Sequence, residues 1–94
     1  MTDLEMTKLC AAAMKDFPHM VEIDGGLWFG YESCVGPKYD PLHDDAQAMA
    51  LVKKCKLQIA YGDGRWAASH DGISFTDYHD DLNRAIVVCV STLF

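Results

Sequence analysis

The chain has 94 residues, half of them apolar, and carries 14 acidic against 8 basic residues, which gives a formal net charge of -6. This length predicts a single domain over residues 1–94 with one hydrophobic core. The acidic balance argues against direct nucleic-acid binding, because phosphates would be repelled, and favours a partner with a basic surface.

The N-terminal region predicts a helix. Thr2 followed by Glu5 has the spacing of a capping box, in which each side chain bonds to the backbone N–H of the other residue. Apolar residues then recur at three- and four-residue steps, which is the period of one helix face. A proline removes a backbone donor and disfavours helix in the residue before it, so Phe17-Pro18 is the expected helix end.

A β-hairpin is predicted next, because residues 20–24 alternate as in a strand and Asp24-Gly25-Gly26 is turn chemistry. The returning strand, over residues 27–31, is rich in aromatic side chains. Alternation places Trp28 on one face of this strand and Tyr31 on the other. Two interpretations follow: a helix or the next loop covers Trp28, or one aromatic face stays open for a partner.

Residues 33–42 are predicted to form a loop, because they contain two X-Pro breakers. Pro41 keeps Asp40 extended, so the second helix begins only after it. Asp44 or Asp45 is the expected N-cap, since a carboxylate accepts bonds from the free N–H groups of a first helical turn.

A second hairpin is predicted after this helix. Residues 57–61 alternate, Gly62-Asp63-Gly64 turns the chain, and residues 65–69 return. Beyond it, Ile73 and Phe75 either add a short extra strand to the sheet or line a loop.

The last helix has the most regular apolar period in the chain. Its stripe consists of Leu82, Ala85, Ile86, Cys89, Val90 and Leu93. The order helix, hairpin, helix, hairpin, helix predicts the α+β class, with an antiparallel sheet from two hairpins packed with three helices.

Four cysteines are present: Cys10, Cys34, Cys55 and Cys89. Two disulfides are one interpretation. Reduced thiols are the favoured one, because no secretory signal is evident and three of the four fall on predicted apolar helix faces. Cys10, Cys55 and Cys89 are therefore expected to be buried. Reduced cysteines predict a cytoplasmic protein, and no apolar run reaches the length of a membrane span.

Two similar triplets, His43-Asp44-Asp45 and His79-Asp80-Asp81, are candidates for metal binding or acid-base chemistry. Adjacent residues at a helix start point in different directions, so a metal site would require the two triplets to meet. Capping already explains the aspartates. Cys34 is the one cysteine outside a predicted helix face, and a nucleophile would need a base beside it, whereas most loop cysteines have no such role. We therefore expect no catalytic residue, metal or cofactor, and a chain that is not an enzyme.

The residues expected to bind a partner combine carboxylates with aromatic rings. They are Tyr39, Asp40, Asp44, Asp45, Trp28 and Tyr31. Such a surface suits a protein, or a protein–nucleic acid complex, with a basic face. Self-association into a homodimer is a further expectation.

Several motifs resemble a family of small proteins of tailed phages and prophages, often called the phage α/β sandwich family. The resemblance covers about the C-terminal two thirds of the chain and is carried by Tyr39-Asp40-Pro41-Leu42 with Asp44-Asp45, Ala48 and Leu51, Leu57-x-Ile59, Trp66-x-Ala68, and Asn83-Arg84-Ala85-Ile86. It implies a cytoplasmic phage product made in an infected bacterium, and no catalytic residues are carried over.

This resemblance, taken with the acidic composition, implies a non-catalytic inhibitor of a bacterial defence system, similar to anti-CRISPR proteins. Such defence complexes have basic nucleic-acid channels that attract carboxylates. The alternative is an oligomeric protein that sequesters a nucleotide signal in a pocket between subunits. Cations and aromatic rings converging on one pocket would favour this alternative, whereas a continuous acidic face would favour the inhibitor.

Overall fold

The computed structural model describes residues 1–14, 20–30 and 35–93 and confirms the α+β class. Within these residues, three helices alternate with two groups of antiparallel strands. The elements are α1 (Asp3–Ala13), β1 (Met20–Ile23), β2 (Gly26–Gly30), β3 (Val35–Tyr39), α2 (Asp45–Cys55), β4 (Gln58–Gly62), β5 (Arg65–Ser69) and α3 (Leu82–Ser91).

Strand β3 is the main departure from the prediction, because it lies in the segment expected to be a loop. It pairs with β2 and forms one edge of a three-stranded sheet, β1-β2-β3. Pro37 is tolerated there, since an edge strand has one side on which a missing N–H removes no ladder bond. The register of the β2–β3 pairing shifts between Trp28 and Gly30. The two strands stay paired on both sides of this irregularity, although the sequence of the β3 segment by itself predicts a loop.

The two hairpins form separate sheets, where the prediction had one. Strands β4 and β5 make a two-stranded sheet of their own. The chain that follows β5 turns back and bonds to the edge of β5 that is not paired with β4. Trp66 and His79 exchange two backbone hydrogen bonds of 2.7 Å, and Thr76 N donates to Ala68 O at 2.9 Å. Ile73 and Phe75 form no strand and lie in a loop, as one of the two interpretations predicted. The added pairing is an isolated bridge of Trp66 with His79.

Both hairpins turn at an aspartate-glycine pair, as predicted. Asp24 and Gly25 in the first turn, and Asp63 and Gly64 in the second, all have positive φ. Two such residues in succession give the twist that matches paired antiparallel strands, and aspartate tolerates this region better than most side chains.

The predicted caps are confirmed. Thr2 and Glu5 form the capping box of α1, with bonds of 3.1 and 3.2 Å. Asp44 is the N-cap of α2 and accepts from Gln47 N at 3.0 Å, while Asp81 caps α3. Helix α1 ends at Ala13, before the end predicted at Phe17-Pro18, which lies outside the described residues.

The core is built around α3, which packs on α1, α2 and β5. Four members of the predicted stripe are buried: Ala85, Ile86, Cys89 and Val90. Leu82 is half-buried, and the prediction for Leu93 is wrong, because this residue lies beyond the end of α3 and is 39 % exposed. Leu51 of α2 and Cys10 of α1 meet them from the other two helices. None of the described helices is both long and apolar enough to cross a membrane.

Three cysteines are described, and all are free thiols. Cys10 and Cys89 are buried as predicted, whereas the prediction of burial for Cys55 is wrong, because this residue at the last turn of α2 is only half-buried. Burial raises the pKa of the Cys10 thiol to about 12, so it stays protonated and unreactive at neutral pH. Cys34 lies outside the described residues.

Candidate binding surface at the helix N-termini

The first turns of all three helices meet at one end of the molecule. Asp3, the first residue of α1, accepts two hydrogen bonds from Arg84 Nη2, at 3.1 and 3.2 Å. Asp45, the first residue of α2, accepts from Asn83 Nδ2 at 2.9 Å. Because Asn83 and Arg84 are neighbours in the first turn of α3, these bonds join the three helix starts.

This arrangement gathers aspartates from four separate parts of the sequence. We call the surface the acidic end, and it consists of Asp3, Asp40, Asp44, Asp45 and Asp81. All are exposed except Asp40, which is half-buried. The carboxylates lie where the positive ends of three helix dipoles point, so their gathering at one end is electrostatically stabilised.

A cleft of about 180 Å³ opens beside the acidic end, between α1, the first hairpin turn and the end of β3. Among the residues that line it are Asp3, Thr7, Lys38, Tyr39, Asp40 and His43. The cleft therefore combines two carboxylates with an imidazole and one ammonium group, so its lining is neither purely acidic nor purely basic.

Tyr39 was predicted to bind a partner, but its side chain is only 1 % exposed. Its ring contacts Phe29 edge-on, with centroids 5.8 Å apart, and burial raises the pKa of its phenol. Tyr39 therefore belongs to the core and supports the floor of the cleft, so a partner cannot cover much of its surface.

Asp40 and the turn after it are fixed by hydrogen bonds to α2. Asp40 N donates to Gln47 Oε1 at 2.6 Å, and Gln47 Nε2 donates to Lys38 O at 3.0 Å. The Asp40 carboxylate also lies 2.8 Å from His43 Nδ1. One glutamine thus holds the end of β3 and the start of α2 together, which gives the acidic end a defined shape.

The predicted aspartates all have structural partners. Asp44 caps α2 through Gln47 N, Asp45 bonds to Asn83, and Asp40 contacts His43. A carboxylate has about four acceptor positions, so each still has some left for a partner. Of the described residues, no three or more among histidine, cysteine, aspartate and glutamate are grouped to hold a metal ion, and the two His-Asp-Asp triplets do not form such a group.

Trp28 lies on the face of the sheet away from the core, opposite Val21 of β1 and Lys38 of β3. It is half-buried, and Lys38 Nζ is 5.9 Å from the centre of its indole ring, within cation–π range. A Cβ at Gly26 would come within 2.9 Å of Lys38 Cε, so glycine makes room for this contact. Lys38 lines the cleft and contacts Trp28, which is not itself among the lining residues. Tyr31 lies outside the described residues.

Sequence reasoning missed several residues of this surface. Lys38, Asn83 and Arg84 were not predicted to contribute, nor was Asp3. An acidic residue at the first position of a helix is too common to signal a site. Nothing local to residue 3 could have indicated contact with a residue 81 positions away.

A second hollow, of about 400 Å³, lies at the turn end of the second hairpin and is lined by Gly62, Asp63, Arg65 and Tyr78. Arg65 Nε is 3.0 Å from Asp80 Oδ1. The hollow is open to solvent, and it brings a guanidinium group beside an exposed aromatic ring.

Comparison of the chain with protein-family models, curated proteins and solved structures gives no match. The resemblance to a phage family therefore stays a prediction.

Proposed function

We propose that this chain is a non-catalytic binding protein whose acidic end docks onto a basic surface of a protein or of a protein–nucleic acid complex. The observation that supports the proposal is the meeting of three helix starts, which brings five aspartates onto one end. Opposite potentials on the two partners would speed their encounter and fix their orientation.

The rigidity of the acidic end favours binding. Its carboxylates are held by caps and by the bonds of Gln47, Asn83 and Arg84, so little side-chain freedom would be lost on docking. The adjacent cleft offers the carboxylates of Asp3 and Asp40 to a basic side chain of the partner. Trp28, which contacts the cleft residue Lys38, would add apolar area beside the charges.

The phage resemblance directs the proposal to a particular class of partner. We propose that the partner is a bacterial defence complex, such as a CRISPR effector, and that the acidic end occupies its basic nucleic-acid channel. Inhibition would then need no chemistry by the chain itself, only competition with nucleic acid for the same surface.

The test combines infection with purified binding. The chain is expressed in a bacterium with CRISPR immunity against an infecting phage, and we expect plating of that phage to recover. The variant Asp44→Asn/Asp45→Asn keeps the cap and removes two charges, and we expect it to bind the purified effector roughly 10-fold more weakly at low salt. The difference should shrink as salt is raised.

A matched control removes the same charge elsewhere. Asp63→Asn/Asp77→Asn changes two exposed aspartates that are not part of the acidic end, and asparagine tolerates the positive φ of Asp63. We expect this control to behave like the parent. If the two double variants bind and inhibit equally, the acidic end is not the docking surface; if the parent never restores plating, the defence target is wrong.

The alternative function, sequestration of a nucleotide signal, is favoured by one observation. Arg65 and Tyr78 line the same hollow, and a guanidinium group with an aromatic ring could hold a phosphate and a base. The ion pair from Arg65 to Asp80 competes with this use. Calorimetric titration with a cyclic dinucleotide tests it: binding by the parent that Arg65→Ala abolishes would favour the alternative, and no heat would reject it.

A further inference from the structure

The outer edge of β4 is not paired with any strand in the described part of the chain. Strand β4 pairs only with β5. On the other side of β5, the backbone groups of Trp66 and Ala68 bond to the chain that follows that strand. In an antiparallel pair, residues whose backbone groups point away from the partner strand stand opposite one another. Tyr61 and Ile59 stand opposite Trp66 and Ala68, so their backbone N–H and C=O groups point away from β5.

The backbone groups of Ile59 and Tyr61 make no hydrogen bond within the residues that the structure describes. They present two N–H donors and two C=O acceptors along one edge. An extended peptide placed beside β4 can bond to all four groups, as in the addition of a strand to an open sheet edge.

Strand β4 lacks the features that commonly block a free strand edge, which are charged side chains, proline and an irregular register. Strand β3 has Pro37, Lys38 and a shifted register, and β1 has Glu22. In contrast, β4 has no charged residue and no proline, and its pairing with β5 is regular from Gln58 to Gly62. Among the strand edges described, the edge of β4 is therefore the one best suited to receive another strand.

An exposed aromatic side chain lies on the same strand. Tyr61 is 63 % exposed, and its ring centroid is 4.6 Å from that of Trp66. Side chains alternate between the two faces of a sheet, so every second side chain of an added strand would lie beside Ile59 and Tyr61. Apolar β-branched or aromatic side chains at those positions would form favourable cross-strand pairs.

The charge around β4 indicates the chemistry of the partner. Residues 53–65 contain four of the eight basic residues of the chain and only one of its 14 acidic residues. The four basic side chains are exposed, and they are Lys53, Lys54, Lys56 and Arg65. This segment is therefore net positive in a chain whose formal net charge is -6. Two copies that met at β4 would bring two such segments together, whereas an acidic peptide would be attracted.

We propose that the edge of β4 binds an extended acidic segment of a partner protein, which joins the second sheet as an added strand. Arg65 already pairs with Asp80, so we place the carboxylates of the segment beside Lys56, where β4 begins. The site is separate from the acidic end, because Lys53 is in the last turn of α2 and Asp45 is in its first turn, about 15 Å along the helix. The chain would then hold a basic surface at one site and an acidic segment at the other.

The test uses synthetic peptides in which valine and threonine alternate and three glutamates form either the first or the last residues. Each peptide is titrated into the isotope-labelled chain and followed by NMR. We expect one of them to bind with a dissociation constant of about 100 μM. The largest amide shifts should occur at Ile59 and Tyr61, and hydrogen exchange of these two amides should slow. The same peptides with lysine in place of glutamate should bind at least about 10-fold more weakly at low salt.

Backbone methylation separates strand addition from simple attraction of charges. The binding peptide is methylated on the backbone nitrogens of its valines in one version and of its threonines in another, and only one of these sets faces β4. We expect one version to lose at least about 10-fold in affinity and the other to bind like the unmodified peptide. This measurement requires no change to the protein.

Two pairs of protein variants locate the site. Tyr61→Pro removes an N–H that the β4–β5 pairing does not use, so the fold should tolerate it. We expect a loss of at least about 10-fold in affinity, whereas Tyr61→Thr, which keeps the N–H, should bind more tightly than Tyr61→Pro. Lys56→Gln should weaken binding about 3-fold at low salt, and Lys8→Gln, outside residues 53–65, should not. Circular dichroism checks that each variant is folded.

Three results would overturn the proposal. The first is an absence of shifts at Ile59 and Tyr61 with up to about 1 mM of either glutamate peptide. The second is equal affinity of the two methylated versions, or of the glutamate and lysine peptides. The third is a shift of the same two amides when the chain alone is concentrated, because the occupant of the edge would then be a second copy.

Discussion

Substitution of Ile86 tests how the fold is held together. Ile86 is 0 % exposed and lies at the centre of α3, where the helix meets the rest of the core. Removing one methyl group in Ile86→Val should lower the free energy of unfolding by about 0.5–1.5 kcal/mol, and Ile86→Ala by about 2–5 kcal/mol. Ile86→Asp would bury a carboxylate with no partner and should exceed the alanine loss.

The total stability available to a 94-residue domain is about 5–14 kcal/mol, so Ile86→Asp is expected to unfold the chain. Urea denaturation followed by tryptophan fluorescence measures the series, since Trp66 packs partly against the core. Ile73 supplies the matched control, because it is the same residue type at 85 % exposure. At low protein concentration, Ile73→Ala and Ile73→Asp should change stability by less than about 0.5 kcal/mol.

The result that would refute this reasoning is a folded Ile86→Asp variant with the midpoint of the parent. The apolar stripe of α3 would then be a surface for a partner, and not the centre of the core. A loss of similar size at Ile86 and Ile73 would equally contradict the burial assigned to them.

Three other predictions concern capping, thiols and pH. Asp44→Ala should destabilise the chain by about 1 kcal/mol in thermal unfolding and Asp44→Asn by much less, because asparagine can still cap α2; equal losses would exclude the cap. Site-resolved alkylation at pH 8 should leave Cys10 and Cys89 unmodified in the native chain and label Cys55 faster, and rapid labelling of Cys10 would contradict its burial. The pKa of Asp71 is lowered by three hydrogen bonds, which come from Ser74 N, Ile73 N and the Ser69 hydroxyl in order of effect. The Asp71 carboxylate should therefore stabilise the fold above its unfolded pKa near 3.9, and this contribution should be lost as pH falls below that value. Carboxyl NMR titration would show Asp71 ionised where exposed aspartates protonate, and an ordinary titration would mean that the loop is not held as described.

The elements themselves were largely predictable, because their signals are local. The capping box at Thr2 and the cap at Asp44 involve residues three positions apart, and a pattern of that length is visible along the chain. The Asp-Gly turns needed only the preference of two adjacent residues for positive φ. The apolar stripe of α3 predicted the burial of Ile86, Cys89 and Val90, because the period of a helix fixes which side chains share a face.

The pairing of those elements was not predictable in the same way. Strand β3 forms because the edge of β2 is available for backbone pairing. The stabilisation from this pairing is greater than the local preference of Gly36-Pro37 for a turn. The sequence shows that Gly36-Pro37 favours a turn, but it does not show where the partner strand lies. For the same reason, the burial of Tyr39 beside Phe29 followed from the third strand and could not be read from its neighbours along the chain.

The candidate surfaces show the same division. The sequence by itself determined the caps, the turns, the helix faces and the presence of Asp40, Asp44 and Asp45 near one helix start. Only the tertiary structure decided that Asp3 bonds to Arg84 and that Asp45 bonds to Asn83. It also decided that the loop of Ile73 lies beside the C-terminal end of α3. The physical reason is that local hydrogen bonds and helical period act over a few residues, whereas the choice of which faces meet depends on how the whole core packs.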